Sequence, residues 1–234
     1  LAGDLAIIYA HYRGTGVTLA MSAAGGQTWN AGATTFASNQ SYFISWCRYN
    51  GTWGANPSVT AGVGNTNGLT VVMYVYRPTT ANSLWGVNIA QTASGTNNAN
   101  PSPITAVTTT LPNTVTMAFW CNALTDTWGT LTGGGTGWSK TGLSDQYRNT
   151  TTGQSHTAAY NIRASAGSTG ATGQTMSTAT NTLRTKMTWY ELNDNCSGAI
   201  NLTAGAGCTN TPGTLVGATI SGGVPAGCAT GNLY

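Results

Sequence analysis

The chain has 234 residues, of which only 6% are charged: eight Lys or Arg against five Asp or Glu, a net charge of +3. A typical soluble domain carries about 25% charged residues, and the shortage here argues against catalytic acid–base or metal chemistry, which draws on Asp, Glu, His and Lys. The basic residues are scattered, which argues against nucleic acid, a partner that needs clustered positive charge, and no apolar run reaches the ~20 residues of a membrane-spanning helix.

Hydrophobic residues make up 40% of the chain, with eight Trp and ten Tyr. That is enough for an ordered core, since disordered chains are poor in aromatics. No segment keeps a helical period. Short runs rich in Val, Ile, Thr, Tyr and Trp alternate with Gly, Asn, Ser and Pro clusters, the pattern of an all-β protein. In chain order, the pattern predicts strands over residues 4–12, 17–22, 41–49, 58–62, 68–76, 104–108, 114–122, 156–163 and 185–192. In 114–122, Val115, Met117, Phe119 and Cys121 share one face while Thr116, Ala118 and Trp120 share the other. Residues 90–103, 133–137, 150–155 and 165–173 are expected to be loops or flexible turns. No long internal repeat is evident.

After Leu192 the texture changes. Residues 193–234 are dominated by Gly, Ala and Thr and hold Cys196, Cys208 and Cys228, whereas Cys47 and Cys121 lie in predicted strands. The first unit is therefore a domain over 1–192, followed by an irregular Cys-containing extension over 193–234. Cysteines in so Gly-rich a segment suggest disulfide staples, Cys196–Cys208 or Cys208–Cys228, and an oxidising compartment. One apolar stretch, TLVGATI at 214–220 with Leu215, Val216 and Ile220, is a candidate strand for joining a neighbouring subunit.

Several features come in a recognisable order. Gly3-Asp4-Leu5 enters the strand AIIYAHY, and Gly26 to Trp29 form a Gly-x-Thr-Trp turn. An aromatic strand YFISWCRY follows, then Asn56-Pro57-Ser58-Val59-Thr60, then a hydrophobic strand ending Tyr76-Arg77. This order, over residues 1 to about 192, resembles β-sandwich modules of phage virion and tail-fibre proteins and of related secreted bacterial proteins. The resemblance implies a two-sheet antiparallel β-sandwich, jelly-roll-like, used as a structural or adhesive module. It supplies no catalytic residues, and the Cys-containing extension lies outside its pattern.

The chemistry is sparse. A glycosidase needs two opposed carboxylates. Asp126 with Asp145 is the one conceivable pair, while Asp4 reads as a turn residue and Glu191 and Asp194 as a solvated edge. His11 and His156 read as structural residues, each without a second His nearby in the sequence. Trp53, Trp85, Trp128 and Trp138 sit in Gly-, Asn- and Thr-rich segments. Three roles are open to them: plugs for the ends of the core, subunit contacts, or platforms for stacking a sugar ring. No cofactor or metal is expected. The expectation is a non-enzymatic structural subunit of an extracellular or virion assembly, with copies of itself as partners. A lectin-like module that binds cell-surface glycan is the alternative.

Overall fold

The computed structural model describes residues 1–14, 16–32, 34–62, 68–79, 83–132, 137–140, 146–178 and 180–192. Cys196, Cys208, Cys228, Leu215, Val216 and Ile220, together with Asp145 and Asp194, lie outside the described residues. Within them the chain is all-β, without a helix, and every strand pairing is antiparallel.

The first half holds β1 (Leu5–Arg13), β2 (Leu19–Ala23), β3 (Asn30–Ala31), β4 (Thr35–Ala37), β5 (Gln40–Arg48), β6 (Ser58–Ala61) and β7 (Leu69–Tyr76). A connecting stretch follows with β8 (Leu84–Asn97), β9 (Ser102–Ile104) and β10 (Thr108–Thr109). The second half holds β11 (Thr114–Asn122), β12 (Trp128–Thr132), β13 (Trp138–Lys140), β14 (Gln146–Asn149), β15 (Gln154–Arg163), β16 (Gly167–Ser168), β17 (Thr172–Met176) and β18 (Thr182–Leu192). One large sheet runs β3-β5-β1-β7, with β4 also on β5. The other runs β13-β15-β11-β18-β8, with β14 also on β15.

The two large sheets pack face to face. Leu5, Ile7, Tyr9, Tyr42, Ile44 and Tyr74 of the first share one buried cluster with Val115, Met117, Phe119, Cys121, Ala158, Leu183, Met187 and Trp189 of the second. At its centre the rings of Tyr9 and Phe119 stack at 4.5 Å and 6°. Each sheet also carries a small sheet on its outer face. The β2–β6 pair covers Ile8, Ala10, Tyr12 and Phe43, and β12–β17–β9 covers Ala118, Trp120 and Ala159. The central strands β1 and β11 are therefore buried on both faces, and apolar side chains occur in both of their alternating sets.

The halves repeat one topology, which the sequence conceals. In each, a central strand (β1 or β11) is flanked by a second (β5 or β15) and a third (β7 or β18). The strand after the central one (β2 or β12) pairs with one lying between those two (β6 or β17). Two short strands (β3 and β4, or β13 and β14) pair with the second. Details repeat as well. Gln-Ser opens both β5 and β15, and Ser41 Oγ donates to Gly14 O at 2.7 Å as Ser155 Oγ donates to Leu124 O at 2.8 Å. A left-handed residue immediately precedes both third strands, Gly68 at φ 82° and Asn181 at φ 52°. The contacts between halves are reciprocal. Trp46 of β5 meets Trp189 of β18 edge-on at 6.5 Å, and the same two positions with the halves exchanged, Tyr160 of β15 and Tyr76 of β7, meet edge-on at 5.8 Å. A two-fold relation through Tyr9 and Phe119 produces both pairs.

Several expectations need correction. Residues 104–108 are not one strand, because β9 ends at Ile104 and β10 begins at Thr108. The expected loop at 90–103 begins inside β8, which runs to Asn97. Its polar sequence lacks alternation because β8 is an edge strand, and the ladder to β18 holds it. The expected turn at 165–173 carries β16 and the start of β17. The expected two sheets are supplemented by three small ones.

Replacing Phe119 with Ala removes one ring of the central stack and should cost about 3–5 kcal/mol, the usual range for a buried Phe. A urea titration of the two proteins measures it. A difference below 1 kcal/mol would mean that the stack does not hold the sheets together.

Candidate functional site

The charged side chains of the described region hold loops. Asp126 is fully buried and accepts from Asn122 Nδ2 (2.6 Å), Ser177 Oγ (3.0 Å) and the Thr178 amide (2.6 Å). Those bonds tie the turn after β11 to the end of β17, so this carboxylate faces protein donors rather than a cleft. Glu191 does not occupy a solvated edge. It is buried, and it accepts from the amide and hydroxyl of Thr79 and from Ser83 Oγ, fastening the segment after β7. Asp4 accepts from Arg77 Nε and Nη2, each at 3.3 Å. Among the described residues no group of three His, Cys, Asp or Glu is placed to hold a metal ion.

The two histidines, remote in sequence, meet in the core with ring centroids 6.4 Å apart. The face-to-face packing of β1 on β15 brings them together, which sequence spacing could not reveal. His156 Nδ1 shares a hydrogen bond of 3.0 Å with Thr70 Oγ1, and the His156 ring stacks on Tyr147 at 5.4 Å. Burial pushes His11 down to about 3. Burial and the neighbouring His11 push His156 down to about 3 as well. Both rings are therefore neutral, structural members of the core.

The four singled-out tryptophans part company. Trp128 and Trp138 are 2% and 9% exposed and plug the outer cluster of the second sheet with Trp120, Ile104 and Met176. Trp85 is half-buried against the central core, its Nε1 donating to Gly3 O at 2.8 Å. Trp53 is the one that stands in an aromatic row near the surface. Its ring stacks on Tyr49 at 4.9 Å and on Trp29 at 6.4 Å. Gln27 fixes the row from below, donating to Asn50 Oδ1 and Thr52 O and accepting from the Asn50 amide.

Two other surfaces emerge that sequence patterns did not mark. The first is a cleft of 410 Å³ where the two large sheets part, lined by Asn30, Gly32, Thr35, Trp46, Gln91 and Met187 among others. Small-molecule sites have volumes of roughly 300–1,000 Å³. Among the described residues no ionisable side chain lines the cleft, so the chemistry they offer is an indole, amides and a hydroxyl. Gly32 permits the close approach of its walls, since a Cβ there would lie 2.8 Å from Ile44 O and 2.9 Å from Gln91 Oε1.

The second surface is β7, the last strand of its sheet among the described residues. Its outward residues Val71, Met73 and Val75 are 41%, 42% and 52% exposed. A long, apolar, unpaired edge is a template for another strand, and proteins usually shield or charge such edges. The apolar run of β7 was legible in the sequence as a strand, but its place at an edge was not.

The histidine pair makes stability depend on pH. In the unfolded chain each ring returns to its ordinary value of 6.5 and takes up a proton below it. The folded state excludes that proton until about pH 3, so the contribution is complete above 6.5 and is lost as pH falls. The expected slope is about 1.4 kcal/mol per pH unit for each histidine. Urea midpoints measured from pH 7 to 4 should fall, and the fall should flatten in the His11→Gln, His156→Gln variant. Equal slopes in both proteins would refute the burial of neutral rings.

Comparison of the chain with known protein families, curated proteins and solved structures returns no match.

Proposed function

We propose that this chain is a non-enzymatic structural subunit of an extracellular or virion assembly, such as a phage fibre or decoration protein or a secreted filament subunit. It would self-associate through its sheet edges and its C-terminal arm, residues 193–234. What supports a jelly-roll-like reading of the body is that its two large sheets lie face to face, with β18 returning to lie between β8 and β11. The observation that carries the reading is the β7 edge, eight residues long, unpaired among the described residues, with Val71, Met73 and Val75 exposed in a row. A repeating assembly satisfies such an edge by pairing it with a neighbour. The low charge of the surface suits close contact between like copies, because little repulsion opposes it.

The test is charge on that edge. Met73→Lys with Val75→Lys alters exposed side chains and should leave the fold intact, as read by circular dichroism. Sedimentation should shift from large particles to monomer, and electron micrographs should lose any repeating array. Arrays that form equally well in the variant would reject the edge as an assembly contact.

A second reading, a lectin-like adhesion module, is favoured by the neutral cleft around Trp46. An indole offers a stacking face to a sugar ring and the amides of Asn30 and Gln91 offer donors and acceptors. On this reading the protein binds a neutral glycan on an array, and Gln91→Ala with Asn30→Ala weakens that binding at least tenfold. The same array, probed with Trp53→Ala, separates the cleft from the Tyr49–Trp53–Trp29 row. No binding by the unaltered protein removes the reading.

A further inference from the structure

The two halves share one topology, yet they are not equally covered, and the difference marks where a strand belongs. In the second half the stretch 84–109 shields β18 twice. β8 pairs along its edge from Leu84 to Asn97. The chain then crosses its outer face, where Pro103 O accepts from Arg184 and the carbonyls of Thr105 and Ala106 accept from Lys186. The corresponding strand of the first half is β7, and it has neither cover among the described residues. Counting from the matched Gly68 and Asn181, the positions equivalent to Arg184, Lys186 and Thr188 are Val71, Met73 and Val75. The covered set is polar: Arg184 and Lys186 are bonded to the polypeptide above them, and Thr188 to Thr116 of the neighbouring strand. The uncovered set is apolar and exposed. Side chains of this kind call for an apolar cover.

The two-fold relation also gives the cover its geometry. β8 runs antiparallel to β18 and lies opposite β3 and β4, with Gln91 Nε2 donating to Thr35 Oγ1 at 3.3 Å. Exchanging the halves places a strand antiparallel to β7 and opposite β13 and β14. Such a strand completes the first sheet as β8 completes the second.

We infer that residues 214–220 are that strand. The inference rests on the assembly reading for its donor, a neighbouring copy. The segment TLVGATI is uncharged and seven residues long, against eight in β7. Pro-Gly precedes it and Gly-Gly follows the next serine, so it is punctuated as one extended element. Its position in the chain fits. β18 ends at Leu192, and Glu191 is bonded to Thr79 and Ser83 just beyond the C-terminal end of β7. A strand antiparallel to β7 starts from that same end. The intervening residues 193–213 reach up to roughly 70 Å when extended, enough to pass from one copy to the next. Main-chain hydrogen bonds along β7 supply the binding, as in other cases of strand addition, and Val216, Ala218 and Ile220, which share one face of such a strand, meet the apolar row at its side.

Hydrogen exchange of the full chain, read by mass spectrometry beside sedimentation, tests the assignment. The variant is Val216→Pro with Ala218→Pro, which cannot pair as a strand. In the unaltered protein the outward amides of β7 should be protected. In the variant they should exchange at least tenfold faster, with β1 and β11 unchanged and the large particles lost. Equal protection of β7 in both proteins would overturn the inference. If that equality accompanied particles that dissolve on Met73→Lys with Val75→Lys, the assembly reading would survive with a different occupant. Faster exchange of β7 in a protein that is monomeric throughout would support the strand assignment within one copy and remove the assembly reading.

Discussion

The stacking of Tyr9 on Phe119 is the contact on which the rest of this molecule is arranged. It joins the middle of β1 to the middle of β11, and each of those strands is the centre of its own sheet. A strand buried on both faces needs cover on both sides. The inner side is met by the opposing sheet and the outer side by a small sheet, so the molecule is four layers deep at its centre. Apolar burial of this kind, at about 25 cal/mol per Å², is the main favourable term available to a chain with so few charges.

Charge is scarce, and the described charged groups act as ties. Asp126 and Glu191 each gather donors from a loop, Arg13 donates to Thr152 O, and Arg48 donates to Ser83 O. Lys186 is buried and spends its ammonium on the carbonyls of Thr105 and Ala106. Burying a charge without partners is costly, and here each is placed where a segment without regular structure needs anchoring. Neutral amides do the same work for the aromatic row, through Gln27 and Asn50.

The two halves are one design used twice, with unequal finishing. The second half has its edge closed by β8 and its outer face crossed by the turn that follows. The first presents β7 with its apolar row toward solvent. Among the described residues one edge is shielded fully while its equivalent is left open, which gives the surface a direction. That asymmetry is the basis for reading the protein as a subunit rather than a self-contained body.

Composition and period-two alternation were enough to determine an all-β chain and the strands 4–12, 41–49, 68–76, 114–122, 156–163 and 185–192, because each of these packs at least one apolar face and so carries the signal in its own residues. Strands such as β8 and β12 left no such signal, since they lie at sheet edges and are held by ladder hydrogen bonds that any polar sequence can make. Only the tertiary structure decided that His11 lies beside His156, that Trp128 and Trp138 are core while Trp53 joins a surface row, and that Trp46 faces a cleft with Gln91. It alone revealed the repeat, because the two halves conserve topology and contact geometry while sharing little beyond Gln-Ser and a left-handed turn residue. Alternation tells which residues face the same way, whereas pairing between strands distant in sequence decides which strand is central, which is covered and which is left at the edge.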